Sequence, residues 1–172
     1  MCVLGTKKLM KMYPDLDDEQ YQQGGIDLKI GAFFKPSVIE KYTLKRGLYN
    51  NEKINNELIE HKSSSFILEP FKSVLVETKE KIKIHEGYQQ HYYLRSTLLR
   101  NFIIGGFAIG DSGFNGNLMF LLMNTGVNDY RLDIGERFAQ MEVTKLDGVH
   151  SNYMGDYQDE RSVLGNYIEE VD

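Results

Sequence analysis

The sequence predicts a mainly β protein, a barrel or jelly-roll-like sheet behind one short helix. Three observations predict it. From Phe66 onward apolar and β-branched side chains recur at every second position, as in Val74, Val76 and Thr78 and again in Ile82 and Ile84. Gly105, Gly106, Gly110, Gly113, Gly116, Gly126 and Gly135 then punctuate short segments about ten residues apart, the spacing of strands joined by tight turns. No long helical pattern alternates with these segments, so βαβ units are not expected.

The elements follow in order. Residues 6–13 predict a short helix, with Thr6 as its cap, Leu9, Met10 and Tyr13 as its apolar stripe and Pro14 as its stop. An acidic loop of Asp15, Asp17, Asp18 and Glu19 comes next. Between Gly24-Gly25 and Gly31, the alternation of Ile26, Leu28 and Ile30 predicts a half-buried strand. Residues 40–65 are the most polar stretch and read as a long surface excursion with a turn of helix near Leu58. The sequences 74–78 and 82–84 predict two strands broken at Thr78-Lys79-Glu80. Leu118–Met123 is apolar without alternation, which predicts a strand covered on both faces.

Composition sets the limits. The 172 residues form one domain, 1–172, with 150–172 as a C-terminal tail. Twenty Lys and Arg against 25 Asp and Glu leave a net charge of -5, which argues against a broad basic surface for nucleic acid but allows a small phosphate pocket. One cysteine, Cys2, excludes an intrachain disulfide and a Cys-rich zinc site, and His61, His85, His91 and His150 lack metal-ligand spacing. Apolar runs fall far short of the roughly 18 residues of a membrane helix. A soluble, cytoplasmic protein with no membrane partner is the simplest expectation.

Five stretches carry chemistry. In Gly110-Asp111-Ser112-Gly113-Phe114-Asn115-Gly116 a carboxylate sits in a glycine turn at the end of a strand; taken singly, such an Asp more often just stabilises its turn. Arg95-Ser96-Thr97-Leu98-Leu99-Arg100 combines two guanidinium forks with hydroxyls, a set that suits phosphate oxygens and equally suits a short solvated helix. Gly135 to Met141, the Asp27 strand, and the tail Tyr153-Met154-Gly155-Asp156-Tyr157-Gln158 are turns, a strand and surface tyrosines when taken one at a time.

Their order is more specific than any of them. GGIDLKIG, LRSTLLR, GDSGFNGNLMFLLMNTG, GERFAQM and YMGDYQ, in that sequence, resemble the superfamily of trimeric dUTP diphosphatases and dCTP deaminases from about Leu4 to Gly165. The resemblance implies a distorted jelly-roll-like β-barrel (dUTPase-like, a β-clip) and a homotrimer with active sites between subunits. It implies that Asp111 activates the attacking water and that Phe114 packs under the deoxyribose. Arg95, Ser96 and Arg100 would hold phosphates, Thr97 and Gln140 would also bind the substrate, and the backbone at Gly105, Gly106 and Phe107 would read the pyrimidine. Tyr153, Tyr157 and Gln158 would close over the nucleotide. Mg²⁺ would be carried by the substrate phosphates, with Asp27 reaching it through water.

Two departures bear on the chemistry. Deaminases of this superfamily carry a glutamate ten positions after the Asp; here that position is Leu121, flanked by Phe120 and Leu122. General acid–base catalysis is worth about 10²–10⁴-fold, so deamination loses its carrier while diphosphate hydrolysis does not. In the tail, Asp156 stands where the family has Lys and Glu160 where it has Gln, which removes two expected contacts. Hydrolysis of dUTP to dUMP and pyrophosphate is the expected activity. The alternatives are dCTP deamination, alone or coupled to diphosphatase activity, hydrolysis of another pyrimidine triphosphate, and nucleotide binding without turnover.

Overall fold

The computed structural model describes residues 2–36, 48–49, 52–53, 58–148, 151–155, 158 and 167–168. In chain order these form α1 (Thr6–Met12), a 3-10 turn (Asp18–Gln20), β1 (Tyr21–Gln22), β2 (Gly25–Pro36), β3 (Leu48–Tyr49), β4 (Glu52–Lys53), β5 (Leu58–His61), β6 (Ser65–Leu68), β7 (Ser73–Lys83), β8 (Tyr88–Leu94), α2 (Ser96–Arg100), β9 (Ile103–Gly106), β10 (Asn115–Asn124), β11 (Tyr130–Asp133), β12 (Arg137–Lys145) and β13 (Tyr167–Ile168).

The long strand β2 belongs to two sheets, and this makes the barrel. Its first half pairs with β1 and β12, and β12 pairs in turn with β8. Its second half pairs with β5 and β7, and β7 continues through β10 to β9 at the edge. β6 and β11 form a separate ribbon. Apolar side chains from both halves meet in one core that includes Ile26, Leu28, Ile30, Val76, Phe120, Phe138 and Met141. Among the described residues, no helix is long and apolar enough to cross a membrane.

The expected mainly β barrel with a short N-terminal helix is what the chain forms, and several local expectations change. Thr6 does not cap α1. Gly5 holds that position without a side-chain bond, and the Thr6 hydroxyl donates instead to the Gln22 carbonyl at 2.8 Å. Leu9 and Tyr13 are buried but Met10 is exposed, because one residue along a helix turns by about 100° away from the apolar face. Leu58 lies in a strand, not a helix, since β2 is long enough to pair with it opposite Pro36. Of the rest of the polar excursion, 40–47, 50–51 and 54–57 lie outside the described residues.

The break expected at Thr78–Glu80 is instead an irregularity within one continuous strand. The pairing of β7 shifts there against both neighbours, between Ile30 and Ala32 of β2 and between Asn117 and Met119 of β10. Side chains satisfy the freed backbone: Asn117 Nδ2 donates to the Thr78 carbonyl at 2.8 Å, and Leu118 N to Thr78 Oγ1 at 2.9 Å. Gly31 lies against this kink, where a Cβ would sit 2.7 Å from the Lys79 backbone.

The burial of β2 and β10 also differs from expectation. β2 is covered on both sides, Asp27 and Lys29 being buried like Ile26, Leu28 and Ile30. β10 is covered on one side only: Leu118, Phe120 and Leu122 point into the core while Leu121 is 44% exposed and Met119 and Met123 are half-buried.

Candidate active site

A bulge builds the first part of the site. On β12, Gln140 lies opposite Asp27 and Ala139 opposite Leu28, but Arg137, not Phe138, lies opposite Lys29. The extra residue lets Phe138 and Ala139 both turn into the core, so Arg137 and Gln140 share the face occupied by Asp27. Arg95, which follows β8, joins them: its N–H donates to the Phe138 carbonyl at 2.9 Å.

Asp27 is the centre of this cluster. Its Oδ2 lies 3.2 Å from Arg95 Nε and 3.4 Å from Arg137 Nη1, and its Oδ1 accepts from Gln140 Nε2 at 3.4 Å. Burial pushes the Asp27 carboxyl above its usual range, and Arg95, Arg137 and Gln140 draw it back. The carboxylate is thus an anchor that holds two half-exposed guanidinium groups side by side, a fork suited to phosphate oxygens.

The acidic segment 15–20 braces the cluster from behind. Gln20 is buried and donates through one amide nitrogen to the Asp27 carbonyl at 2.8 Å and to Glu80 Oε1 at 2.7 Å. Arg137 Nη1 donates to the Glu19 carbonyl at 2.8 Å. Lys29 Nζ, 2.6 Å from Asp17 and 2.8 Å from Glu19, ties this turn to β2.

The second part is the turn before β10. Asp111 is exposed and lines a cavity of about 250 Å³ with Phe114, Tyr153, Tyr92, Gly110 and Asn117. The tail shapes this cavity. Tyr153 N donates to the Ser112 carbonyl and its ring meets Phe114 edge-on at 5.5 Å. Gln158 Nε2 donates to the Gly113 carbonyl at 2.9 Å, and Ser112 Oγ donates to Asn152 Oδ1 at 3.2 Å. Gly113 has φ +85, and a Cβ there would sit 2.8 Å from Asn152, so both conformation and space require glycine.

The expected site residues therefore fall into groups. Asp111, Phe114 and Tyr153 come together at one cavity, whereas Gln158, bonded to Gly113, lines a neighbouring cavity on the other side of Tyr153. Arg95 and Gln140 come together at Asp27, and none of these three lines the Asp111 cavity. Ser96, Thr97 and Arg100 are exposed on α2, which Leu98 pins to the core. Gly106 is exposed on the edge strand β9 opposite Leu121, and the Phe107 ring lies against Gly105 and onto Phe120 at 5.0 Å. Tyr157 lies outside the described residues, as do Asp156 and Glu160. Among the described residues, no three His, Cys, Asp or Glu side chains gather to hold a metal.

Arg137, Gln20 and Glu19 were not singled out by the sequence. Arg137 stood in a stretch that read as a plain turn and strand, and only the bulge turns it toward Asp27. A cationic residue three positions before Gln140 was the one available signal.

Known proteins place the chain clearly. The family model described as dCTP deaminase-like matches residues 5–146. The chain is 36% identical over 157 residues, 91% of its length and 99% of the other, to a protein of Methanothermobacter thermautotrophicus named probable deoxyuridine 5'-triphosphate nucleotidohydrolase. It is 34% identical over 143 residues, 82% of its length and 81% of the other, to a dCTP deaminase of Thermococcus kodakarensis. The solved dCTP deaminase of Agrobacterium tumefaciens shares its fold with a TM-score of 0.63 at 17% identity, over 82% of this chain and 47% of that one.

Proposed function

Because the chain belongs to the dCTP deaminase-like family, we propose that it hydrolyses dUTP to dUMP and pyrophosphate and so limits the deoxyuridine nucleotide pool. The observation that carries this reading is the Asp111 cavity: an exposed carboxylate beside the Phe114 ring, in the turn before a strand whose residues Phe120 to Leu122 offer no proton carrier. The relative from M. thermautotrophicus carries the same activity in its name.

The chain's own residues divide the work. Asp111 orients a water and takes its proton as the water oxygen bonds to the α-phosphorus. The bond from that phosphorus to the bridging oxygen breaks in line, and pyrophosphate leaves with the electron pair. Arg95, Arg100, Ser96, Thr97 and Gln140 bind the phosphate chain, with Arg137 added by its place at Asp27. Phe114 packs under the deoxyribose. The backbone of Gly106, the last residue of the edge strand β9, and of Phe107 after it reads the pyrimidine. Tyr153, Tyr157 and Gln158 close the cavity and exclude water.

Mg²⁺ fits this site as a passenger of the triphosphate. The cluster carboxylate, Asp27, has both oxygens engaged by Arg95, Arg137 and Gln140, so any contact from it to an ion runs through water. When bound, the ion supplies charge neutralisation for the triphosphate, which a protein of net charge -5 needs.

The site is completed by other copies of the chain in a homotrimer. The arginine cluster and the Asp111 cavity are separate within one chain, and the outer face of β10 is apolar through Met119, Leu121 and Met123. Light scattering after gel filtration is expected to give three chains per particle.

The deciding assay is pyrophosphate release from each deoxynucleoside triphosphate with Mg²⁺, with dCTP also followed for uracil products. Release from dUTP is expected, with no deamination. Asp111→Asn should lower turnover about 10²-fold or more and leave nucleotide binding near wild type. Deamination of dCTP, the named activity of the T. kodakarensis relative, would require a proton carrier other than residue 121 and would overturn this reading. Binding without any product would instead make the chain a pyrimidine-nucleotide binding protein.

A further inference from the structure

We propose that Tyr92 is a positioning residue for Asp111, acting through Gly110 at the end of a buried chain of hydrogen bonds that starts at Tyr13. This rests on Asp111 being the water-orienting carboxylate. Tyr92 Oη donates to Gln90 Oε1 at 2.5 Å, and Gln90 Nε2 donates to Tyr13 Oη at 2.8 Å. Gln90 is fully buried, and both tyrosines are 7% exposed. Burial pushes the Tyr13 hydroxyl up to about 12 and that of Tyr92 still higher, so both stay neutral, Tyr92 as the donor to Gln90 and Tyr13 as the acceptor from it.

Gly110 is seated on this chain from two sides. Its N–H donates to the Gln90 carbonyl at 2.9 Å, and the Gln90 N–H donates to the Gly110 carbonyl at 3.0 Å. A Cβ at Gly110 would lie 2.4 Å from the Tyr92 oxygen, so the backbone before Asp111 rests directly on the phenol. The Tyr92 ring is itself fixed against Phe120, centroids 5.0 Å apart. The Tyr92 oxygen therefore sets how far the Gly110–Asp111 backbone sinks toward the core, and with it the height of the carboxylate at the cavity. A misplacement of this order at a reacting group costs rate without costing substrate affinity.

Tyr92→Phe tests this, because it removes one oxygen and keeps the ring. In the full-length protein kcat on dUTP should fall about tenfold while KM stays within about twofold. Hydrogen exchange at the Gly110 amide, read without nucleotide, should quicken about tenfold, and exchange in β2 should not change. Gln90→Met, which cuts the chain one link back, should show the same pair of effects. A hydroxyl that only stabilises the fold would lower the melting temperature and leave kcat and the local exchange as in the wild type, and that result overturns the proposal. Should the wild type fail to release pyrophosphate from dUTP, the diphosphatase reading falls by itself, and unchanged Gly110 exchange in Tyr92→Phe still decides against Tyr92 as the support of the Gly110–Asp111 backbone.

Discussion

Glu80 receives the Lys29 backbone N–H and the Gln20 amide in a half-buried position behind the arginine cluster. Burial raises its carboxyl above the ordinary 4.5, against the pull of those donors and of Lys29. A carboxyl that keeps its proton to higher pH in the folded chain than in the unfolded one stabilises below the unfolded value, and that stabilisation disappears as pH rises through the folded value. Glu80→Gln is neutral throughout and keeps an acceptor oxygen. Its melting temperature should therefore gain on the wild type between pH 4 and pH 8, as read by thermal denaturation across that range. Asp17 and Glu19 behave in the opposite sense. Bonds from Lys29 hold both below their usual range, so their contribution is present near neutrality and is lost on acidification. Asp111, Arg95, Phe114 and Gln140 were legible in the sequence because the order of motifs marks them. Gln20 was not, because a glutamine in an acidic loop gives no sign that its amide will be buried against β2.

Two of the strands work through irregularities, and these are where a period-two reading of the sequence fails. The inward alternation of Ile26, Leu28 and Ile30, and of Val74, Val76 and Ile82, was plain and is what the core uses. The kink of β7 looked like a break because polar residues interrupt its apolar pattern at 78–80, yet Asn117 and Thr78 supply the missing bonds from side chains. The bulge of β12 was invisible, since Phe138 and Ala139 are both apolar and either could be the inward one. Gly31 reports on the first irregularity. Its Cβ would meet Lys79 Cα and N at 2.7 Å, backbone that cannot move aside without opening the kink. Gly31→Ala should cost about 1–3 kcal/mol in urea unfolding with an unchanged m-value. Arg137→Ala keeps the bulge and removes one of the two guanidinium groups held by Asp27. Such a protein should bind the triphosphate weakly while its affinity for dUMP changes far less, and titration with both ligands checks this.

At the scale of the molecule, the two halves of the site are distributed over one barrel in a way that asks for a neighbour. Asp111 and Phe114 stand at the turn leading into β10, while Arg95 and Gln140 stand on Asp27 where β12 crosses β2. If each site takes its carboxylate from one chain and its Asp27-bound arginine from another, two inactive chains can repair each other. Asp111→Asn and Arg95→Ala are each expected to abolish turnover alone. Coexpressed in equal amounts, they assort at random, and about one site in four then draws a good carboxylate from the Arg95→Ala chain and a good arginine from the Asp111→Asn chain. Pyrophosphate release from dUTP should return to roughly a quarter of the wild-type rate, and a chain carrying both substitutions should dilute it away. A mixture that stays as inactive as its components would place both halves of the site in the same chain, and the shared-site arrangement would have to be abandoned even if the particle proved trimeric.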